Sequence, residues 1–202
     1  MSETLLSETE TLLPLRGEEV KNAQEIRDCL QRLSWRRGNV KSRTFGRTSI
    51  TLGVTRGAPG ATGFDSEGFN MQAVPGCLSK NDREQCARLW ALLQEEAREL
   101  GFEFSSAQVN KNFRPEAPHH HLRTDRDYQW CLSFGDFTEG GQFCWREGER
   151  CFSVSTKDRW QKVDGRHVHW VKPHRPESST RYSIVLFRNT GVASEIFYAG
   201  GE

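Results

Sequence analysis

Apolar residues recur at helical spacing in two segments of the N-terminal half of the chain. From Glu18 to Trp35, one residue in every three or four is apolar, which predicts an amphipathic helix. A second helix is predicted to start after the capping residue Ser79 and to end at Gly101. Its apolar positions are Cys86, Leu89, Trp90, Leu93, Ala97 and Leu100. Because each helix has one apolar face, both are expected to pack against a larger element.

From Phe102 onward the pattern changes to short apolar runs separated by Gly, Pro and Asp, which is typical of strands joined by turns. An earlier strand is predicted at Thr48–Gly53. The later ones are predicted at Phe102–Phe104, Gln108–Phe113, Tyr128–Phe134, Gln142–Trp145, Cys151–Ser155, Val168–Val171, Arg181–Arg188 and Glu195–Tyr198. So many short strands within about 100 residues indicate an antiparallel sandwich or barrel. The predicted fold class is therefore α+β, mainly β.

The domain prediction follows from the same pattern. Residues 18–202 are expected to form a single domain with its core at 102–199. Residues 1–17 are rich in Ser, Thr and Glu, and Pro14 and Gly17 break any helix there. This segment is predicted to be a mobile N-terminal arm, or a segment that docks through its leucines, Leu12, Leu13 and Leu15.

Composition narrows the class of protein. The 202 residues carry a formal net charge of +1, so the whole molecule does not attract nucleic acid by net charge. The six cysteines include no Cys-x-x-Cys pair, and the sequence has neither a secretory leader nor an apolar run long enough to span a membrane. We therefore expect a soluble intracellular protein, in the cytoplasm or nucleus, with reduced thiols and no membrane association.

A basic segment lies between Arg36 and Arg56 and contains no acidic residue. It could contact the phosphates of a nucleic-acid substrate, or it could only solvate a surface. The glycine-rich residues 57–78 that follow are predicted to be a loop, such as a lid over a binding site.

All six histidines lie between His119 and His174, and such clustering suggests a metal site. His119–His121 are expected to open the strand 128–134, and His169 lies on a later strand. His167 would share the face of His169 as a supporting group or alternative ligand, whereas His174, in a polar loop, is expected at the surface. Arg181 and Ser183 should share one face of the next strand, because side chains alternate with period two.

Three motifs in this region together resemble a known family. Gly135-Asp-Phe-Thr-Glu-Gly-Gly141 is followed by Gly165-Arg-His-Val-His-Trp170 and then by Arg181-Tyr-Ser183 before an apolar strand. This order is similar to that of the Fe(II)/2-oxoglutarate-dependent dioxygenases, in particular an algal and protist branch related to nucleic-acid-modifying oxygenases. The resemblance covers about Gln108–Arg188 and implies a double-stranded β-helix (jelly roll) buttressed by N-terminal helices.

The same resemblance implies an activity and a set of site residues. The cofactors would be Fe(II) and 2-oxoglutarate, with O₂ as co-substrate, and a substrate that the sequence does not identify would be hydroxylated or oxidised. His169 matches the distal iron ligand. Arg181 matches the residue that pairs with the far carboxylate of 2-oxoglutarate, and Ser183 its companion hydroxyl. Asn110 and Asn112 match an Asn-x-Asn run, so Asn112 is also assigned to the cofactor.

The first metal motif departs from the family pattern of Pro-His-x-Asp, because this chain has three consecutive histidines after Pro118. Aligned from Pro118, the metal ligands are His119, His121 and His169, with an imidazole in place of the carboxylate. Aligned backward from Gly135, the two motif positions fall on His120 and Leu122, which leaves His120 and His169 as ligands and one metal position open. Asp125 and Asp127 are further candidates without the family spacing.

Three classes of function therefore remain open. The first is an Fe(II)/2-oxoglutarate oxygenase with an atypical metal site. The second is a non-catalytic jelly-roll relative that lost its iron and acts as a binding module. The third is a three-His, cupin-like metalloprotein in which Arg181 would have no assigned role.

Overall fold

The computed structural model describes residues 10–13, 17–35, 48–53, 71–72, 80–112, 119–121, 128–188 and 196–198. Within these ranges the chain forms two helices and 13 strands. The helices are α1 (Ala23–Arg32) and α2 (Lys80–Glu99). The strands are β1 (Glu10–Leu12), β2 (Glu18–Glu19), β3 (Thr48–Gly53), β4 (Met71–Gln72), β5 (Ser106–Lys111), β6 (His119–His121), β7 (Gln129–Gly135), β8 (Phe143–Glu147), β9 (Arg150–Val154), β10 (Arg159–Val163), β11 (Val168–Val171), β12 (Arg181–Phe187) and β13 (Ile196–Tyr198).

These strands form two sheets. The major sheet has seven strands in the order β2-β10-β7-β12-β5-β3-β4, and the minor sheet has six in the order β1-β9-β8-β11-β6-β13. The named strand pairs are antiparallel except β1 with β9, which is parallel. The prediction of a mainly β protein with two helices is confirmed.

One face of the major sheet packs against both helices. Along β12, Ile184 and Leu186 point into this core and are fully buried, as alternation along a strand requires. The same cluster contains Ile26, Cys29 and Leu30 of α1, and Cys86, Leu89, Trp90, Leu93 and Ala97 of α2. Burying this apolar area supplies most of the stabilisation that such a domain has.

A buried carboxylate ties the two helices to the sheet. Glu96 of α2 is 1% exposed and accepts hydrogen bonds from the backbone N–H groups of Asn22 (2.6 Å) and Lys21 (3.3 Å). It also accepts one from Nε1 of Trp160 on β10, at 2.9 Å. Because Asn22 makes no side-chain cap, Glu96 provides acceptors and negative charge at the N-terminus of α1.

The other face of the major sheet points toward the minor sheet. Cys131 and Val163 of the major sheet pack there with Phe143 and Val154 of the minor sheet. These facing surfaces are called the inner faces below. Arg181 and Ser183 lie on the inner side of β12, opposite in direction to Ile184.

Several predicted elements are confirmed. Helix α2 ends before Gly101, whose φ of +61° is the left-handed conformation that favours glycine at a helix terminus. The strands at Thr48–Gly53 and Val168–Val171 have the predicted bounds. The first helix is shorter than predicted, because Glu18–Glu19 instead pair with Trp160 and Arg159 of β10.

Other predictions are wrong. His119–His121 do not open the strand at 128–134; they form β6, which lies in the minor sheet, whereas β7 lies in the major sheet. Phe102–Phe104 are not a strand, although Phe102 and Phe104 pack against the helical core. Strand β10 was not predicted, because its polar residues obscure the alternation.

The remaining predictions fall partly outside the described residues. Of the basic segment Arg36–Arg56, the structure describes 48–53, and of the loop at 57–78 it describes 71–72. Residues 10–12 of the predicted arm form β1. Five cysteines, all but Cys77, are described, and they are buried free thiols. Burial raises the pKa of the Cys86 thiol to about 12.

Of the two helices in the described residues, neither is long and apolar enough to cross a bilayer.

Candidate functional site

Arg181 is a buried cation on the inner face of the major sheet. It is 2% exposed, and its Nη2 donates to the carbonyl oxygen of Gly141 at 3.0 Å. Within the described residues, its Nε and Nη1 are buried without a hydrogen-bond partner, and no carboxylate there forms an ion pair with it. Burial lowers the pKa of Arg181 to about 10, so the guanidinium is still charged at neutral pH. A buried charge in this state favours the binding of an anion.

The backbone of Arg181 is fixed by Asn112, which follows β5. The N–H of Asn112 donates to the carbonyl of Arg181 at 2.7 Å, and its Oδ1 accepts from the N–H of Arg181 at 2.8 Å. Asn112 adopts a left-handed φ of 53°, which asparagine tolerates better than most residues. Asn112, which the sequence assigns to the cofactor, therefore holds the main chain of Arg181 in place through two hydrogen bonds.

The main chain at Gly141 passes close to the guanidinium. Gly141 has a φ of +73°, and a Cβ added there would lie 3.0 Å from Nε of Arg181 and 2.9 Å from Cε2 of Phe137. The Phe137 ring centroid is 5.9 Å from the guanidinium carbon. Residue 141 therefore has to be glycine for two reasons. Other residues rarely adopt this φ, and a Cβ would lie too close to Phe137 and to the unpaired Nε of Arg181. The residues present fit a bound carboxylate.

Polar side chains continue along the inner face from Arg181. Ser183 is 8% exposed and accepts a hydrogen bond from Nδ2 of Asn110, its cross-strand partner, at 3.3 Å. On the other side, Ser183 pairs with Ser133, whose hydroxyl lies 2.9 Å from that of Thr156. Hydroxyl and amide groups therefore line the sheet next to the cation, as the motif Arg181-Tyr-Ser183 predicts.

His169 is held in one orientation on the facing sheet. It is 7% exposed, and its Nδ1 lies 2.8 Å from the carbonyl oxygen of His167. A carbonyl can only accept, so Nδ1 carries the proton and the neutral ring has its lone pair on Nε2. A metal-binding imidazole needs this kind of orienting bond. The ring of Phe143 stacks on His169 with centroids 5.2 Å apart.

The start of β8 connects this histidine to Arg181. Gly141 accepts the hydrogen bond of the guanidinium, and Phe143, two residues further on, stacks on the imidazole. Residues two apart in the sequence have Cα atoms at most about 7 Å from each other. The chain therefore brings the buried cation and the predicted metal ligand into one region between the sheets.

The triple histidine pairs with this ligand strand. In the antiparallel ladder of β6 and β11, His119 is the direct partner of His169. Directly paired residues lie on the same face of a sheet, and positions two apart share a face. Positions 119, 121 and 169 are therefore on one face of the minor sheet, and position 120 is on the opposite face.

This pairing extends across the minor sheet. Trp145 of β8 is the direct partner of His169, and Phe152 of β9 is the partner of Trp145. On the other side, Tyr198 of β13 pairs with His119. Phe152, Trp145, His169, His119 and Tyr198 thus form one cross-strand series, called the histidine row below.

The other two histidines have different positions. His167 is partly exposed, with Nε2 3.8 Å from Oε1 of Glu147 and 3.9 Å from Oδ2 of Asp164. The prediction that His174 is at the surface is wrong, because it is 1% exposed and its ring lies edge-on to Phe137. The cluster of His174 and Phe137 buries the end of the loop that precedes β12.

Sequence reasoning did not identify Phe137, Gly141 or Phe143 as parts of this site. The signal for Gly141 was present in the Gly140-Gly141 pair, since paired glycines mark a tight approach of the backbone. Nothing in the sequence distinguishes Phe143 from an ordinary core residue.

Comparisons with known proteins give distant similarities. No family model and no curated protein matches the sequence. The chain is similar to the structure of NgTET1 in complex with 5mC DNA, with 18% identity, a TM-score of 0.36, and coverage of 45% of this chain and 36% of that chain. It is also similar to an oxidoreductase of the 2OG-Fe(II) oxygenase family from Burkholderia pseudomallei, with 13% identity, a TM-score of 0.49, and coverage of 83% and 80%. The chain spans about a third of the length of NgTET1 in that structure. Because both TM-scores are below 0.5, we base the functional assignment on Arg181 and the histidines.

Proposed function

We propose that the protein is an Fe(II)/2-oxoglutarate-dependent oxygenase with a double-stranded β-helix core. The observation that carries this proposal is Arg181, a buried guanidinium with two unpaired nitrogens in the region that His169 also borders. A carboxylate is the natural partner of such a group, and the far carboxylate of 2-oxoglutarate would be that partner. Ser183 would donate its hydroxyl to the same carboxylate.

In this proposal the metal is held by His119, His121 and His169. The pairing of β6 with β11 supports this set over one that uses His120, because position 120 lies on the opposite face. Three imidazoles in place of two and a carboxylate make the ligand set one charge unit more positive. Bound iron and 2-oxoglutarate would together supply the oxidising chemistry for insertion of oxygen into the substrate.

The residues of the chain would bind and orient these groups. Arg181 neutralises the cosubstrate, and Asn112 holds the backbone of Arg181 in place. The carbonyl of His167 orients the imidazole of His169 with its lone pair on Nε2. Phe137 and Phe143 are buried beside these two side chains and exclude water from them.

A second candidate is a three-His metalloprotein that does not use 2-oxoglutarate. It is favoured by one observation, that the position expected to carry a carboxylate is His121. It leaves the buried charge of Arg181 without a ligand, which is why we rank it second.

Anaerobic loading with Fe(II), followed by addition of 2-oxoglutarate, tests the proposal. We expect one iron per chain by elemental analysis and a weak visible charge-transfer band that appears with 2-oxoglutarate. The Arg181→Met variant should keep its iron and lose the band at the same cosubstrate concentration. Failure to retain iron would contradict both metalloprotein assignments and leave the non-catalytic binding module.

Two further outcomes separate the remaining assignments. Iron binding without any response to 2-oxoglutarate would support the three-His metalloprotein. In the oxygenase, a His121→Asp variant should still bind iron and should consume 2-oxoglutarate faster than wild type, whereas the matched His120→Asp variant should not.

A further inference from the structure

The histidine row contains two aromatic side chains next to the proposed metal ligand. Trp145 is the direct cross-strand partner of His169, so its Cα is about 4.5–5.5 Å from that of the ligand. Its indole stacks on Phe152 with centroids 5.4 Å apart and an interplanar angle of 22°. Both residues are only partly buried.

The indole is fixed by a hydrogen bond at its edge. Nε1 of Trp145 donates to Oε1 of Glu147 at 2.8 Å. Phe143 lies next to it, with ring centroids 6.1 Å apart. Because its only polar atom is already bonded, Trp145 can contact a ligand only through its apolar ring surface.

Two pairs of rings on this face of the minor sheet are nearly parallel. His169 and Phe143 are stacked with an interplanar angle of 24°, and Trp145 and Phe152 with 22°. An aromatic wall of this kind contacts a flat ring over its whole face but contacts an aliphatic group over only part of it.

We propose that Trp145 and Phe152 form a stacking wall that binds a planar unsaturated ring of the substrate beside the metal. This inference rests on the proposed function and adds the chemical class of the substrate to it. A nucleobase and an aromatic side chain share this chemistry, and small probes of each type distinguish them.

The test uses a matched pair of tryptophan variants. Trp170 follows His169 and is also half-buried, but it pairs with Cys144 and lies on the opposite face of the minor sheet. Trp145→Leu and Trp170→Leu therefore remove the same ring from the two sides of one sheet. Trp145→Phe keeps an aromatic ring and serves as the rescue variant.

Binding of cytidine, N-acetyltyrosinamide and N-acetylleucinamide is measured by calorimetry on the anaerobic protein loaded with Fe(II) and 2-oxoglutarate. We expect one of the two planar probes to bind, with the leucine probe at least about tenfold weaker. Trp145→Leu should weaken the planar probe by about tenfold or more, Trp145→Phe by less, and Trp170→Leu by less than about twofold. Binding of cytidine would identify a nucleobase, and binding of the tyrosine probe an aromatic side chain.

The inference is overturned if neither planar probe binds, if the leucine probe binds as well, or if Trp170→Leu is as harmful as Trp145→Leu. The charge-transfer band formed with 2-oxoglutarate is recorded on every sample. A normal band with no preference for planar probes would overturn the stacking wall alone, whereas absence of the band in wild type would overturn the proposed function.

Discussion

The two faces of β12 differ in how completely their polar groups are satisfied. On the helix face, Ile184 lies in an apolar core, and the buried carboxylate of Glu96 accepts three hydrogen bonds. On the inner face, Arg181 keeps a buried charge with two unpaired nitrogens. Unsatisfied buried groups are costly, so a fold retains them only when something else compensates. In the proposed function, the helix face stabilises the domain and the inner face binds the ligand.

Ile184→Ala should have the largest effect on stability. Its side chain is fully buried between the sheet and the helices, and truncation of such a residue costs about 3–4 kcal/mol. Urea denaturation should show this loss. At a temperature where the variant is folded, its affinity for 2-oxoglutarate should stay within about twofold of wild type, because the change is on the helix face. A large loss of affinity in the folded variant would remove the distinction between the faces.

Arg181→Met should have the opposite effect to Ile184→Ala, because it should lower the affinity for 2-oxoglutarate without lowering stability. We expect the affinity for 2-oxoglutarate to fall by about a hundredfold, since a charge-assisted pair with a buried partner is lost. The unliganded variant should be as stable as wild type or more stable, because the depressed pKa corresponds to a burial cost on the order of 3 kcal/mol. Thermal unfolding with and without 2-oxoglutarate measures both effects. A strongly destabilised apo variant would show that Arg181 serves the fold instead.

The lowered pKa of Arg181 sets the direction in which the free energy of unfolding changes with pH. The folded state releases the proton of Arg181 near pH 10, because burial holds the pKa below that of the unfolded chain. The burial cost is therefore fully present below pH 10 and declines as the pH rises above this value. Arg181→Met should lack this contribution when its unfolding free energy is compared with that of wild type across this range.

Glu96→Gln should destabilise the domain by about 2 kcal/mol, because one of the two acceptor oxygens becomes a donor that faces other donors. Glu99→Gln is the matched control on the same helix. Glu99 is exposed and pairs with Lys21 at the surface, so its change should lower the free energy of unfolding far less than Glu96→Gln does. Chemical denaturation of the two variants gives the difference, and equal effects would contradict the structural role of Glu96.

Ser183→Ala should have the smallest effect. Loss of one hydroxyl donor to the cosubstrate carboxylate corresponds to about 1.5 kcal/mol, or roughly a tenfold loss of affinity for 2-oxoglutarate. Stability should change little, since among the described residues the hydroxyl accepts one long hydrogen bond, from Asn110 at 3.3 Å. Calorimetric titration checks this, and unchanged affinity would remove Ser183 from the proposed site.

The sequence predicts the elements with strong periodicity and misses those whose positions depend on pairing. Helix α2 and strand β11 have continuous patterns, and both are confirmed. Three identical histidines have no alternation, so nothing local shows that His119–His121 form a strand of the other sheet. The pattern does not predict strand β10, because its two apolar residues, Trp160 and Val163, are separated by the polar Gln161 and Lys162. Apolar and polar residues therefore do not alternate along it.

The features of the candidate site also fall into those that the sequence predicts and those that depend on tertiary packing. Strand alternation and the resemblance together predict that Arg181 and Ser183 share a face, and the structure has this arrangement. The sequence cannot show that two nitrogens of Arg181 lack partners, because that depends on which loops approach the strand. The burial of His174 behind Phe137 has the same origin in loop packing. The assignment of Asn112 to the cofactor stays a prediction, since its Oδ1 accepts from the backbone of Arg181.

The central claim is that Arg181 binds the far carboxylate of 2-oxoglutarate. Calorimetric titration of the Fe(II)-loaded protein with 2-oxoglutarate and with 2-oxopentanoate, which has a methyl group in place of that carboxylate, tests it most directly. We predict that 2-oxoglutarate binds about a hundredfold more tightly to wild type and that Arg181→Met abolishes this preference. Equal affinity of the two ligands for wild type would contradict the claim.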